Sequence, residues 1–215
     1  APTMYMSTYL VAFVIGPLEA SDVVDVDGVP LRVIAVPGKA DLTPFALEIG
    51  AFSLRYLSGW YGIPYPGDKL DLIAIPDFAF GAMENLGCIT YRESLLLVDL
   101  DKATQPEVAT VADVIAHELA HMWWGDSVSL EQWRDIWVNE GFATWSSWLW
   151  AAHESHGRTR LNDVFASTYR YYRTSGADFW QLAIADPGPR HLFDIAVYDR
   201  GAMALQALRN RVGAQ

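Results

Sequence analysis

Cysteine is nearly absent from the chain: Cys88 is the only one in 215 residues, so no disulfide can form within it. That fits a reducing compartment, and a cytoplasmic location is expected. Basic residues are also scarce, with 15 Lys and Arg against 26 Asp and Glu, a formal charge of −11 and no basic cluster. Nucleic acid and anionic membrane surfaces are therefore poor partners. No uninterrupted apolar run reaches bilayer-spanning length. What is abundant is core material: 52% of residues are hydrophobic, including nine Trp, ten Tyr and nine Phe, which argues against disorder.

Along the chain, strand signals come first and helical periodicity follows. Met4–Ile15 is a long β-prone run, and Asp22–Asp27 reads as a polar turn before a strand over Leu31–Val36. Phe45, Ile49, Phe52, Tyr56 and Trp60 recur at spacings of three and four, predicting a helix over Leu42–Trp60. Leu70–Ile75, Gly87–Tyr91 and Leu95–Val98 read as short strands. From Thr104 the pattern turns helical, and Thr104-Gln-Pro-Glu107 has the capping-box spacing for a helix over Gln105–Trp124. Further helices are predicted over Glu140–His156, Leu161–Tyr172 and Tyr198–Arg211. Strands followed by helices imply an α+β fold.

The predicted helix over 105–124 carries His117-Glu118-Leu119-Ala120-His121. Histidines four apart project from one helix face, where two imidazoles can grip one metal ion. Glu118 lies about 100° round the helix from His117, better placed to take a proton from water than to bind metal. Eighteen residues after His121 comes Glu140, within Trp137-Val-Asn-Glu-Gly-Phe-Ala143. Two imidazoles and one carboxylate make a catalytic zinc set with a fourth position for water. The ion would lower the water's pKa toward about 7 and polarise a carbonyl, so metal-assisted hydrolysis is the expected reaction class. The plain alternative is a buried helix with two satisfied histidines.

Other candidates are weaker. His153 and His156 are three apart beside the helix-stopping Gly157, and read as cations at a helix C-terminus. His191 stands in a loop without partners at ligand spacing. Cys88 reads as a small packing residue rather than a nucleophile. Gly81-Ala82-Met83-Glu84-Asn85 is by itself a loop with turn glycines.

That pentapeptide, taken with His-Glu-x-x-His, eighteen residues and Glu, resembles the zinc aminopeptidases of the aminopeptidase N family, which includes leukotriene hydrolase. Met6-Ser-Thr-Tyr-Leu-Val-Ala-Phe13, Trp123-Trp-Gly-Asp126, Trp137–Ala143 and Tyr198-Asp-Arg-Gly201 extend the resemblance across nearly the whole chain. The resemblance implies a thermolysin-like catalytic domain, a small mixed sheet followed by a helical lobe, holding one Zn²⁺ per chain. His117, His121 and Glu140 match the family's zinc ligands, and Glu118 its general base. Glu84 matches the carboxylate that holds the substrate's free α-amino group, with Gly81, Ala82, Met83 and Asn85 in the substrate-binding segment. Tyr198 matches the tyrosine that stabilises the oxyanion.

The implied function is hydrolysis of the N-terminal peptide bond of peptides with a free N-terminus. A carboxylate buried near a metal is costly unless a cation completes it, and an N-terminal ammonium is such a cation. A thermolysin-like endopeptidase and a non-catalytic zinc-binding piece are the alternatives. Family proteins are several times longer. Residues 1–22 are accordingly expected to be the last strand of an N-terminal β domain, and 23–215 a C-terminally truncated catalytic domain. Separated from its N- and C-terminal domains, such a piece is expected to bind zinc but turn over slowly.

Overall fold

The computed structural model describes residues 3–174 and 177–213 and divides into two compact units after Ser127. The expected segment ends at Ala1 and Gln215 lie outside the described residues.

The first unit is built on a mixed sheet. Strand β1 (Glu19–Ala20) and β2 (Val24–Val26) both pair antiparallel with β3 (Val29–Ala35). Leu31, Val33 and Ala35 of β3 are buried in alternation, as a period of two requires. β4 (Leu70–Ile75) lies parallel between β3 and β6 (Cys88–Arg92), and β5 (Ala82–Met83) closes the other edge antiparallel to β6. As a central strand buried on both faces, β4 reads as a nearly continuous apolar run. Its one charge, Asp71, accepts from Arg32 Nε at 2.6 Å and Lys69 Nζ at 2.5 Å. Burial pushes that carboxyl up, but the two cations outweigh it and hold the group below the usual carboxylate value. Lys69 also donates to the Gly87 carbonyl at 2.6 Å, tying β4 to the turn that carries Glu84.

Helix α1 (Pro44–Tyr61) connects the parallel strands β3 and β4; it starts on a proline at its first position and stops at Gly62 in the left-handed conformation. Helix α2 (Gln105–Ala120) begins with the expected capping box. The Glu107 carboxylate accepts from the Thr104 amide at 2.8 Å, and the Glu107 amide donates to Thr104 Oγ1 at 3.4 Å. Val111, Ile115 and Leu119 form its buried stripe.

The second unit is helical: α3 (Trp137–Glu154), α4 (Leu161–Arg173), α5 (Ala177–Gln181) and α6 (Ile195–Val212). Trp145 Nε1 donates to Gln206 Oε1 at 2.9 Å, and Gln206 Nε2 to Asn162 Oδ1 at 2.8 Å, so one polar chain links α3, α6 and α4. α3 and α6 meet backbone to backbone. A methyl group on Gly201 would lie 2.8 Å from Gly141 Cα, and one on Gly141 would lie 2.9 Å from Gly201 Cα.

The α+β class stands, and several elements differ in detail. The Met4–Ile15 run forms a short 3₁₀ turn at Thr8–Leu10 and pairs with no strand among the described residues. The polar break expected over Asp22–Asp27 holds β2, and its turn is Asp27-Gly28, both at positive φ (54° and 92°), a two-residue hairpin loop. Leu95–Val98 is not a strand. Glu93–Leu95 is a 3₁₀ turn followed by buried Leu96, Leu97 and Val98, while β5 already occupies that edge of β6. An apolar run alone does not tell a strand from a packed turn. The α2 helix ends at Ala120, with turns continuing through Trp124. Helix α5 had no periodicity long enough to read. Arg200 Nη1 holds it, donating to the Phe179 and Leu182 carbonyls at 2.9 and 2.6 Å.

Replacing Thr104 by Ala removes the α2 cap and is expected to cost about 1 kcal/mol, seen as a lower midpoint in thermal unfolding; an unchanged midpoint contradicts the cap. Gly201→Ala should cost about 1–3 kcal/mol by overpacking the α3–α6 crossing. Gly59→Ala, exposed in α1 with nothing within 4 Å of the added carbon, should stabilise by about 0.5–1 kcal/mol instead. Equal denaturation midpoints for the two variants would contradict the close approach.

Candidate active site

The H-E-x-x-H segment ends α2, and the turn after it fixes how the histidines face. His121 Nδ1 lies 2.9 Å from the Trp124 carbonyl oxygen. A carbonyl only accepts, so Nδ1 carries a proton and, in the neutral ring, Nε2 presents a lone pair. That lone pair faces His117 Nε2 at 3.1 Å. Two nitrogens each about 2.0–2.1 Å from a tetrahedral zinc lie about 3.4 Å apart, so the pair is spaced to share one ion. A backbone carbonyl behind a ligating imidazole is also the arrangement that orients such ligands. The turn is held by aromatic packing. Trp123 Nε1 donates to the Ile63 carbonyl at 3.0 Å, and the Trp123 ring lies 5.3 Å from Tyr61 and 6.4 Å from Tyr65.

Around His121 the first unit gathers acid. A carboxylate oxygen from each of Glu84 and Glu118 and a ring nitrogen of His121 all lie within 4.8 Å of one another, and all three residues are buried. Asp126, also buried, has its carboxyl pushed up to about 8, by burial first and by the charge of Glu84 second, with His121 pulling the other way. Burial likewise raises the Tyr91 hydroxyl well above its ordinary value, with Glu118 adding to the effect. These shifts describe one condition: concentrated negative charge in a place of low dielectric, where a cation would be strongly favoured.

Glu84 follows β5 directly. Strand β5 is a sheet edge, registered by Ala82 opposite Tyr91 and Met83 opposite Thr90, with the Arg92 amide donating to the Gly81 carbonyl at 2.8 Å. Its outer edge faces no strand among the described residues. Tyr9 Oη donates to Glu84 Oε1 at 2.6 Å. Asn85, expected among the substrate contacts, is itself held from two sides. Its amide donates to the Leu10 carbonyl at 3.0 Å and accepts from Thr90 Oγ1 at 2.8 Å, and it is buried.

The second unit holds the remaining candidates. Glu140 lies in the first turn of α3, 4% exposed, one residue before Gly141. Tyr198 is partly exposed in the first turn of α6, three residues before Gly201. The glycine crossing therefore sets the register between the segments that carry these two side chains. Asn139, beside Glu140, is 1% exposed, with neither amide atom hydrogen-bonded among the described residues. His153, His156 and His191 are exposed, and the chain turns at His156 and Gly157 with positive φ.

Sequence reasoning missed three parts of the site. The Trp124 carbonyl that orients His121 carries no side-chain signature. Asp126 lies in the Trp123–Asp126 segment, where no spacing signals a role for it. Tyr9 sits 75 residues from Glu84, and no local pattern signals that meeting.

Residues 45–215 match the Peptidase family M1 domain. Among similar relatives, Aminopeptidase M1 of Arabidopsis thaliana is 50% identical over 144 residues, covering 67% of this chain and 16% of that protein. Endoplasmic reticulum aminopeptidase 1 of Homo sapiens is 37% identical over 217 residues, 99% of this chain and 23% of that protein. Aminopeptidase 2 of Candida albicans is 39% identical over 219 residues, 98% of this chain and 23% of that protein. The chain thus spans a quarter or less of the length of these relatives. A match that starts within α1 and takes in the His-Glu-x-x-His helix, the Glu84 turn and the Glu140 helix leaves no second assignment, and the chain belongs to peptidase family M1.

Proposed function

We propose that the protein containing this chain is a zinc-dependent aminopeptidase that removes the N-terminal residue of peptides, with one zinc ion per chain. The observation that carries the reading is the buried carboxylate of Glu84 within 4.8 Å of Glu118 and His121. A metal-and-base pair serves any hydrolase, but a second buried carboxylate beside it asks for a cation. A free N-terminal ammonium fits that demand, and Glu84 then fixes the scissile bond one residue in. The relatives' names, all of them aminopeptidases, support the same reading.

His117 and His121 would hold zinc through Nε2. Glu140 is assigned as the third ligand on its spacing from His121 and its family motif. When bound, zinc polarises the scissile carbonyl and makes water acidic enough to attack near neutral pH. Glu118 takes the proton from that water and returns it to the departing amide nitrogen. Glu84 binds the ammonium of the first residue. The outer edge of β5, Gly81 to Met83, offers main-chain groups along which an extended substrate adds as a short strand. Tyr198 donates its hydroxyl to the oxyanion of the tetrahedral intermediate, charge that develops only as the reaction proceeds.

In the complete protein, Glu118→Gln is expected to retain zinc and its unfolding temperature while kcat on an aminoacyl arylamide falls by about 10²–10⁴-fold. Full activity in that variant would remove Glu118 from the mechanism. Tyr198→Phe should lower kcat by about 10²–10³-fold with little change in KM. Chelation should abolish turnover and added zinc restore it, while an N-acetylated substrate should resist cleavage. Equal cleavage of acetylated and free peptides would favour an endopeptidase.

A further inference from the structure

The N-terminal 3₁₀ turn is fastened to the Glu84 segment by two hydrogen bonds, and its Leu10 is buried, 2% exposed. The Leu10 carbonyl accepts from the Asn85 amide at 3.0 Å, and the Tyr9 hydroxyl donates to Glu84 Oε1 at 2.6 Å. The contact with Glu84 is thus made by a segment that is itself pinned, not by a loose side chain.

We propose that Tyr9 is a positioning residue of the amine-binding site. Its hydroxyl fixes Glu84 Oε1, and Oε2 remains to meet the substrate's ammonium. The proposal rests on the reading of Glu84 as the amine anchor. A glutamate has several rotamers, and ordering it on binding would cost affinity for every substrate. Anchoring one oxygen beforehand removes that cost and holds the other within the few tenths of an ångström that a short ion pair needs. The chemistry of the anchor suits the task. A phenol donates without carrying charge, so it orients the carboxylate and leaves its negative charge for the incoming cation. A lysine or arginine in the same place would neutralise Glu84 and compete with the substrate. Tyr9 touches neither the attacked carbonyl nor the proton in flight, so its contribution belongs to binding of the amine rather than to the chemical step.

The test uses the complete, zinc-loaded protein and two competitive ligands, an amino-acid amide and its des-amino analogue. Tyr9→Phe keeps the ring and removes the hydroxyl. It should raise KM for an aminoacyl arylamide about tenfold, leave kcat within about threefold, and weaken the amide about tenfold while leaving the des-amino analogue unchanged. In a Glu84→Gln background the same Tyr9→Phe change should alter amide binding by less than about twofold, because the two residues act as one unit. Zinc content and unfolding temperature of each variant are checked alongside. Equal losses in both backgrounds would show a general structural role and overturn the proposal, as would no loss in the wild-type background. If the wild-type protein itself binds the amide and the des-amino analogue equally, the amine-anchor reading fails and the Tyr9 proposal falls with it. If the wild type discriminates and Tyr9→Phe discriminates to the same extent, only the Tyr9 role fails.

Discussion

Two imidazole nitrogens 3.1 Å apart, one of them held as a lone pair by its own ring tautomer, make the constraint around which the first unit is arranged. Such a pair is stable only with a proton or a metal ion between its members. The rest of the local structure serves to keep it in place. The Thr104 cap starts α2 in register, the Val111–Ile115–Leu119 stripe seats the helix, and the Trp123 turn brings the Trp124 carbonyl behind His121. A helix that frayed one turn earlier would lose both the convergence and the tautomer.

The second constraint is electrostatic. Glu84, Glu118 and Asp126 gather acidic groups next to that histidine pair in a buried setting, and burial first, then the charge of Glu84, holds the Asp126 carboxyl well above the usual value. A purely structural core would not retain three acids there, because apolar residues of similar size would be no less stable. On the proposed reading, the acids become favourable once cations are present, a metal at the imidazoles and an ammonium at Glu84, and substrate recognition and charge compensation would be one event. Strand β5 supplies direction to it, an edge whose register with β6 points the Glu84 turn back toward α2.

Much of this was legible in the residues. The capping box, the two apolar periodicities and the continuous apolar run of β4 gave their elements to within a few positions. His117, Glu118 and His121 were legible because helical spacing is itself a geometric statement. What escaped were contacts made by backbone or by distant partners: the Trp124 carbonyl, the Tyr9–Glu84 hydrogen bond and the Gly141–Gly201 crossing. Asn85 illustrates the limit well. It lies next to Glu84 in the motif, yet its hydrogen bonds to Leu10 and Thr90 could not be read from that adjacency. Asp27-Gly28 between apolar residues is a strong hairpin signal, and β2 and β3 follow from it.

The central claim is that the histidine pair of α2 is a zinc site of the catalytic kind, and X-ray absorption at the zinc edge of the purified, zinc-loaded protein tests it most directly. The account predicts one zinc per chain, two imidazole nitrogens and oxygen donors at about 2.0–2.1 Å, with one oxygen exchangeable for solvent or inhibitor. A sulfur shell at about 2.3 Å, or fewer than two imidazoles around the ion, would contradict it.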